Sequence, residues 1–187
     1  MLFDKIKNRR AVFPESFAEG AISREEIQKL LEAANWAPTH RRTEPWRFKV
    51  FHDEVVKEKL ADFIVEKYQE SAGRPSSVGA RIRRDKVLRS GAVIAICMQR
   101  DPKESVPEWE EIASVAMAVQ NMWLMTQELS LGGYWSSPVS IHQMGELIPL
   151  GEGERCIGLF YLGRLKETPE AGTRETSIEE KTTWVEL

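Results

Sequence analysis

Between Asn35 and Phe48 the sequence NWAPTHRRTEPWRF gathers His40, Arg41, Arg42 and Arg47 with Trp36 and Trp46 around Pro38 and Pro45. A second set of flat or cationic residues lies elsewhere: Arg9–Arg10, the GGYWSSP turn from Gly132 to Pro138, and Arg174 near the C-terminus. Guanidinium presents a planar fork of donors that suits phosphate, and indole and guanidinium planes both stack on flat aromatic ligands. Together the residue types point to a phosphorylated, planar cofactor. Other chemistries have no comparable support. The chain contains no G-x-G-x-x-G, no Walker loop, no G-x-S-x-G elbow and no H-E-x-x-H. Its three His, at 40, 52 and 142, are too dispersed to argue for a metal site or a Ser-His-Asp triad.

Each piece taken singly has a plainer explanation. Adjacent Arg at a helix end complement the helix dipole. A Trp after Pro at a strand start, such as Trp46, is commonly a core residue, and a loop His is by default exposed. The order and spacing of the pieces carry the functional reading.

The elements that must position these residues are legible from periodicity. SREEIQKLLEAA opens with Ser23 and Glu26 in capping-box spacing and places Ile27, Leu30, Leu31 and Ala34 on one helical face. Pro38 ends that helix, PTHRRTEP forms a loop, and WRFKVF alternates as a strand with Trp46, Phe48 and Val50 on one side. DEVVKEKLADFIVEKYQE predicts a second amphipathic helix using Val56, Leu60, Phe63 and Ile64, with a solvated polar face. Residues 71–90 are polar and basic, with Arg81, Arg83, Arg84, Lys86 and Arg89, and read as a mobile flap whose cations are either solvated or attract an anionic ligand. AVIAICM suits a central strand covered on both faces. EEIASVAMAVQNMWLMTQELSL is apolar on nearly every face, as a helix buried centrally or at a subunit interface would be. Gly132-Gly133 reads as its C-cap, YWSSP as a short strand, and SIHQMGELI as a helix capped by Ser140 and Gln143. CIGLFYLG is the last buried strand. The tail from residue 164 to 187 is polar but carries Trp184 and Val185, and is expected to lie across another surface.

Bulk properties set the context. At 187 residues the chain is expected to form one domain, 1–187, and Lys+Arg 26 against Asp+Glu 29 gives a net charge of −3, which offers no argument for nucleic acid or an anionic membrane. Cys97 and Cys156 sit in apolar runs and read as buried free thiols, as in a reducing compartment. The N-terminus lacks an apolar signal region and no run reaches the roughly 20 apolar residues of a membrane span. The expectation is a cytoplasmic protein.

The ordered motifs resemble those of the nitroreductase family of flavoproteins. KNRRAVF stands where the family has R-R-S-x-R-x-F, and AANWAPTHRRTEPWRFKVF where it has A-x-x-A-P-S-x-x-N-x-Q-P-W-x-F. MAVQNMWLMTQELSLGGYWSSP is similar to its central helix, Gly-Gly turn and flavin-contacting strand, and GLFYLGR to its closing strand. The W-S-S after the Gly-Gly is most similar to the short YdjA-like subgroup. The resemblance implies an α+β fold, a central mixed sheet flanked by helices in an intertwined homodimer with two FMN at its interface. It implies that Arg9, Arg10 and Ala11 contact the phosphate and ribityl chain, that His40 reaches the FMN held mainly by the partner, that Trp135, Ser136 and Ser137 line the flavin, and that Arg174 meets the phosphate. It implies no metal and no protein nucleophile: NAD(P)H reduces FMN by hydride transfer and leaves, and a nitroaromatic or quinone-like acceptor follows at the same face. Ala11 for Ser, Arg42 for Asn and Glu44 for Gln depart from the family pattern. Two alternatives accompany this reading, a flavin-dependent dehydrogenase of another metabolite and a non-enzymatic helical interaction protein.

Overall fold

The computed structural model describes residues 1–186. Its α-helices are α1 (Leu2–Asn8), α2 (Arg24–Asn35), α3 (Glu54–Ser71), α4 (Ser77–Leu88) and α5 (Glu108–Met125), and its strands are β1 (Phe17–Ala18), β2 (Trp46–Phe51), β3 (Ala92–Gln99), β4 (Leu131–Ser136) and β5 (Glu154–Leu165). The fold is α+β. β3 lies between β2 and β5, while β5 is also paired by β4 and, at Arg164–Leu165, by β1.

The apolar run of β3 is central, and its alternation explains why no polar residue interrupts it. Ile94, Ile96 and Met98 face α2 and α5, whereas Val93, Ala95 and Cys97 face α3 and the 3-10 turns of Val139–Glu146. β5 divides in the same way, with Phe160 and Leu162 on the first side and Leu159 and Tyr161 on the second. Covering both faces requires hydrophobic side chains at both strand phases. Each fully buried Leu, Ile or Phe contributes about 1.5–3 kcal/mol.

Helix α2 starts as expected: the Glu26 amide donates to Ser23 Oγ at 3.1 Å, and the Ser23 amide to Glu26 Oε2 at 2.8 Å. Cys97 and Cys156 are buried free thiols. Other expectations give way to tertiary structure. Every ladder of the sheet expected to be mixed is antiparallel, and among the described residues the parallel pairing is the isolated bridge between Ala11 and Gly133. Gly132 and Gly133 belong to β4 rather than to a helix cap; Ser130, left-handed at φ 52°, ends the preceding turn, and the Phe160 ring fills the space a side chain at Gly133 would need. Ser140 and Gln143 lie within 3-10 turns that begin after Pro138, so no capping box forms. The segment read as a flap is mostly helix α4, packed against α3 with Val87 buried. On α3, Val56 is exposed and the position is taken by Lys57, whose buried ammonium donates to the Ser90 carbonyl at 2.9 Å and pairs with Glu54.

Candidate flavin site

Helix α1 ends at Asn8, and Arg9 turns the chain into extended conformation (φ −59°, ψ 131°). Ala11 then bridges Gly133, and the Val12 amide donates to the Gly133 carbonyl at 3.0 Å. This pairing lays Arg9–Val12 against the start of β4. The Arg9 guanidinium stands over the Trp123 ring, 4.4 Å from its centroid, and the Trp123 indole N–H donates to the Arg10 carbonyl at 3.2 Å.

Arg10 is turned inward to the backbone. Its Nη1 donates to the carbonyls of Lys7 at 2.8 Å and Arg9 at 2.7 Å, and its Nε to the carbonyl of Glu170 at 3.2 Å. The tail passes so closely that a Cβ on Gly172 would lie 2.5 Å from Arg10 Cζ. Two residues later, Arg174 comes near Arg9. Burial first, then the positive charges of Arg10 and Arg174, hold the Arg9 guanidinium below its ordinary pKa. Among the described residues, no carboxylate forms an ion pair with any of these three cations, whereas neighbouring Lys5 is paired with Glu128.

β4 leads away from this cluster to Trp135, whose ring packs over Gly158 and whose partner across the ladder is Phe160. The Trp135 Nε1 atom is buried without a hydrogen-bond partner. Ser136 pairs with Leu159 and is half-buried, and Ser137 is exposed. Three like charges gathered without an acid can hold an anion, and a half-buried indole with a free N–H can meet a planar polar group. The residues present therefore fit a phosphorylated aromatic cofactor.

His40 stands apart. Its loop holds Arg41, Arg42 and Glu44 at φ of 51°, 56° and 42°, a left-handed backbone that costs about 1–3 kcal/mol per non-glycine residue and clusters at functional sites. His40 Nδ1 meets Glu110 Oε2 at 2.5 Å, in the first turn of α5. Trp123 is 13 positions further along the same helix, which is about 20 Å of helical rise. One protomer thus joins Arg9, Arg10, Ala11 and Arg174 with the strand that carries Trp135, Ser136 and Ser137, and leaves His40 at the opposite end of α5. Trp46 anchors its loop in the core, donating its indole N–H to Asn35 Oδ1 at 3.0 Å.

Trp123 and Gly172 complete the arrangement and were not singled out by sequence. Nothing in the local pattern distinguishes Trp123 from the other large residues of α5, and Gly172 lies in a polar tail without periodicity. Nor are the basic residues of α4 uniformly solvated: Arg84 is paired with Asp62, and Arg83 lies over the Tyr68 ring at 3.7 Å.

Known proteins share the sequence pattern and the fold. The family model described as "Nitroreductase family" matches residues 6–164. YdjA of Escherichia coli (strain K12), provisionally named an NAD(P)H nitroreductase, is 27% identical over 158 residues, covering 83% of this chain and 84% of its own. The crystal structure of a nitroreductase-like family protein from Bacillus cereus superposes with a TM-score of 0.84 at 30% identity, covering 100% of this chain and 97% of that one. A nitroreductase-like protein from Desulfovibrio desulfuricans, solved in complex with FMN, has the same fold at a TM-score of 0.75 and 20% identity, covering 100% and 97%. The match over most of the chain, in the order the fold brings together, shows that this protein belongs to the nitroreductase family.

Proposed function

We propose that the chain is an FMN-dependent oxidoreductase that uses NAD(P)H to reduce nitroaromatic or quinone-like acceptors by ping-pong hydride transfer, and that it works as a cytoplasmic homodimer. The observation that carries the reading is the convergence of Arg9, Arg10 and Arg174 without a carboxylate among the described residues, beside the strand that ends at Trp135. The FMN held by the D. desulfuricans relative and the nicotinamide substrate in the name of YdjA support it.

In this reading Arg9 and Arg174 meet the phosphate directly. Arg10 fixes the tail that delivers Arg174, and Ala11 contributes through its backbone against Gly133. Trp135, Ser136 and Ser137 line the ring system, where the unpartnered Trp135 N–H can be satisfied. Bound FMN supplies the two-electron redox chemistry between nicotinamide and acceptor. A second copy is needed for two reasons. His40 lies too far from the Arg cluster to serve the same cofactor, and Leu2, Phe3, Trp109 and Trp184 are apolar surfaces left exposed in one protomer. The buried, unbridged thiols of Cys97 and Cys156 suit a reducing compartment.

The test is direct. The purified protein should be yellow with a flavin absorbance spectrum, release FMN on denaturation, and without oxygen bleach stoichiometrically with NADH or NADPH, turning over only when a quinone or nitroaromatic is added. A colourless protein that binds no added FMN would overturn the reading.

A further inference from the structure

Between α3, α4 and the turn that follows β4 lies a cavity of about 200 Å³. Ile64, Tyr68, Arg83, Ser137, Val139 and Ser140 line it. Two of its polar groups lack the partners that structural roles would give them. Ser140 is 3% exposed, and its Oγ has no hydrogen-bond partner. Arg83 forms no ion pair among the described residues, in contrast to Arg84 beside it, which is matched to Asp62. One face of the Arg83 guanidinium rests on the Tyr68 ring at 3.7 Å, and Nη1 donates to the Gly79 carbonyl at 3.0 Å. Tyr68 is itself fixed, accepting the Ser76 amide at 3.3 Å. The guanidinium is thus oriented, half-buried, and left with unused N–H donors.

We propose that this cavity binds the carboxylate of an aromatic electron acceptor, with Arg83 as its cation and the Ser140 hydroxyl as a second donor. The proposal rests on the oxidoreductase reading, because Ser137, which lines the cavity, directly follows the strand assigned to the flavin. The charge present selects the ligand class. A single guanidinium and one hydroxyl match a monoanion, whereas a phosphate dianion calls for the several cations found around Arg9. The remaining walls, Ile64, Val139 and the Tyr68 ring, favour a flat apolar body behind the charged group. Buried Ser140 gains a partner only when a ligand or water enters, so an anion that accepts from it is favoured over an apolar molecule of equal size.

The experiment uses the flavin-loaded protein and two isosteric acceptors, 4-nitrobenzoate and the uncharged 4-nitrobenzamide. The flavin is reduced beforehand with dithionite, so that nicotinamide binding plays no part. The apparent Kd for 4-nitrobenzoate in the reoxidation step should rise at least about tenfold in Arg83→Gln and several-fold in Ser140→Ala, as loss of a charge-assisted and of a neutral hydrogen bond predicts. The values for 4-nitrobenzamide should change less than about twofold. Calorimetric titration with benzoate, which involves no turnover, should show binding to wild type that Arg83→Gln loses and Arg83→Lys partly retains. Equal losses with both acceptors, release of FMN from Arg83→Gln, or inorganic phosphate binding more tightly than benzoate would each overturn the proposal. A protein without flavin would fail the oxidoreductase reading instead, and benzoate titration would still decide whether the cavity binds the carboxylate.

Discussion

Arg9 lies over the ring of Trp123, 4.4 Å from its centroid, and the same indole donates its N–H to the Arg10 carbonyl at 3.2 Å. One side chain of α5 therefore holds both the cation and the backbone of the N-terminal arm, and couples the helix to the proposed phosphate site. Replacing Trp123 by Phe keeps a stacking surface and removes the hydrogen bond, worth about 1 kcal/mol. Thermal denaturation should show a Tm lower by about 2–4 °C for a chain of this length, with FMN affinity weakened in parallel. An unchanged Tm and FMN Kd would mean that the arm is held by its pairing with β4 alone.

Removing the cations tests the phosphate assignment. Charge-assisted hydrogen bonds contribute about 1.5–3 kcal/mol each, so Arg9→Ala and Arg174→Ala should each raise the FMN Kd by about tenfold or more. The double variant should lose its flavin on dialysis. Fluorescence titration of the apoprotein with FMN measures the effect, and full retention in the double variant would refute the site.

Gly172 tests the tail separately. A methyl group there would fall 2.5 Å from Arg10 Cζ, so Gly172→Ala must displace either the tail or the guanidinium that binds the Glu170 carbonyl, and loosens that contact in both cases. Limited proteolysis should cut the tail faster in Gly172→Ala, and FMN affinity should fall toward that of Arg174→Ala. Faster cleavage with unchanged FMN affinity would separate Arg174 from the cofactor.

The Arg164 guanidinium binds Glu26 in a two-pronged pair, with both N–O distances 2.7 Å, and joins the first turn of α2 to β5. Arg164, followed by the Ser23 amide, holds the Glu26 carboxyl below its ordinary pKa of 4.5. A depressed folded-state pKa means that the unfolded chain takes up the proton first as pH falls. The pair's stabilisation is accordingly full above about pH 4.5 and is lost as pH falls through the lower folded-state value. The slope of Tm against pH between about 3 and 5 should be shallower in Glu26→Gln than in wild type. Near pH 7 the variant should be less stable by about 1 kcal/mol, because the pair is partly solvated.

The homodimer is tested at α5 and α1. Trp109 is 67% exposed and Phe3 69% exposed in the single protomer. Light scattering should give about twice the 21.4 kDa chain mass, and Trp109→Glu with Phe3→Glu should yield monomers that also lose FMN. A folded monomer that holds flavin would overturn both the dimer and the cross-subunit role of His40.

Local chemistry determined a good deal of this protein by itself. Ser23 and Glu26 specify the start of α2 because a capping box uses groups three residues apart. The unbroken apolar run of β3 announces a strand covered on two faces, since a strand buried on one face would alternate. The residue types of the Arg9–Arg10 pair and of the W-S-S segment suggest a phosphorylated planar ligand through the geometry of guanidinium and indole. What the sequence left open depends on contacts between distant positions. The Gly-Gly pair reads locally as a helix cap, and its pairing with Gly163 and Leu162 of β5 makes it part of a strand, with the Phe160 ring in the space a Gly133 side chain would need. The polar segment before β3 looks too poor in apolar residues to dock, yet α4 packs on α3 through buried Val87 and the stacking of Arg83 on Tyr68. Arg10, read as a phosphate ligand, has its donors directed to the carbonyls of Lys7, Arg9 and Glu170. That last contact spans 160 positions. No periodicity extends so far, because side-chain periodicity reports the face of one element and says nothing of which other element will cover it.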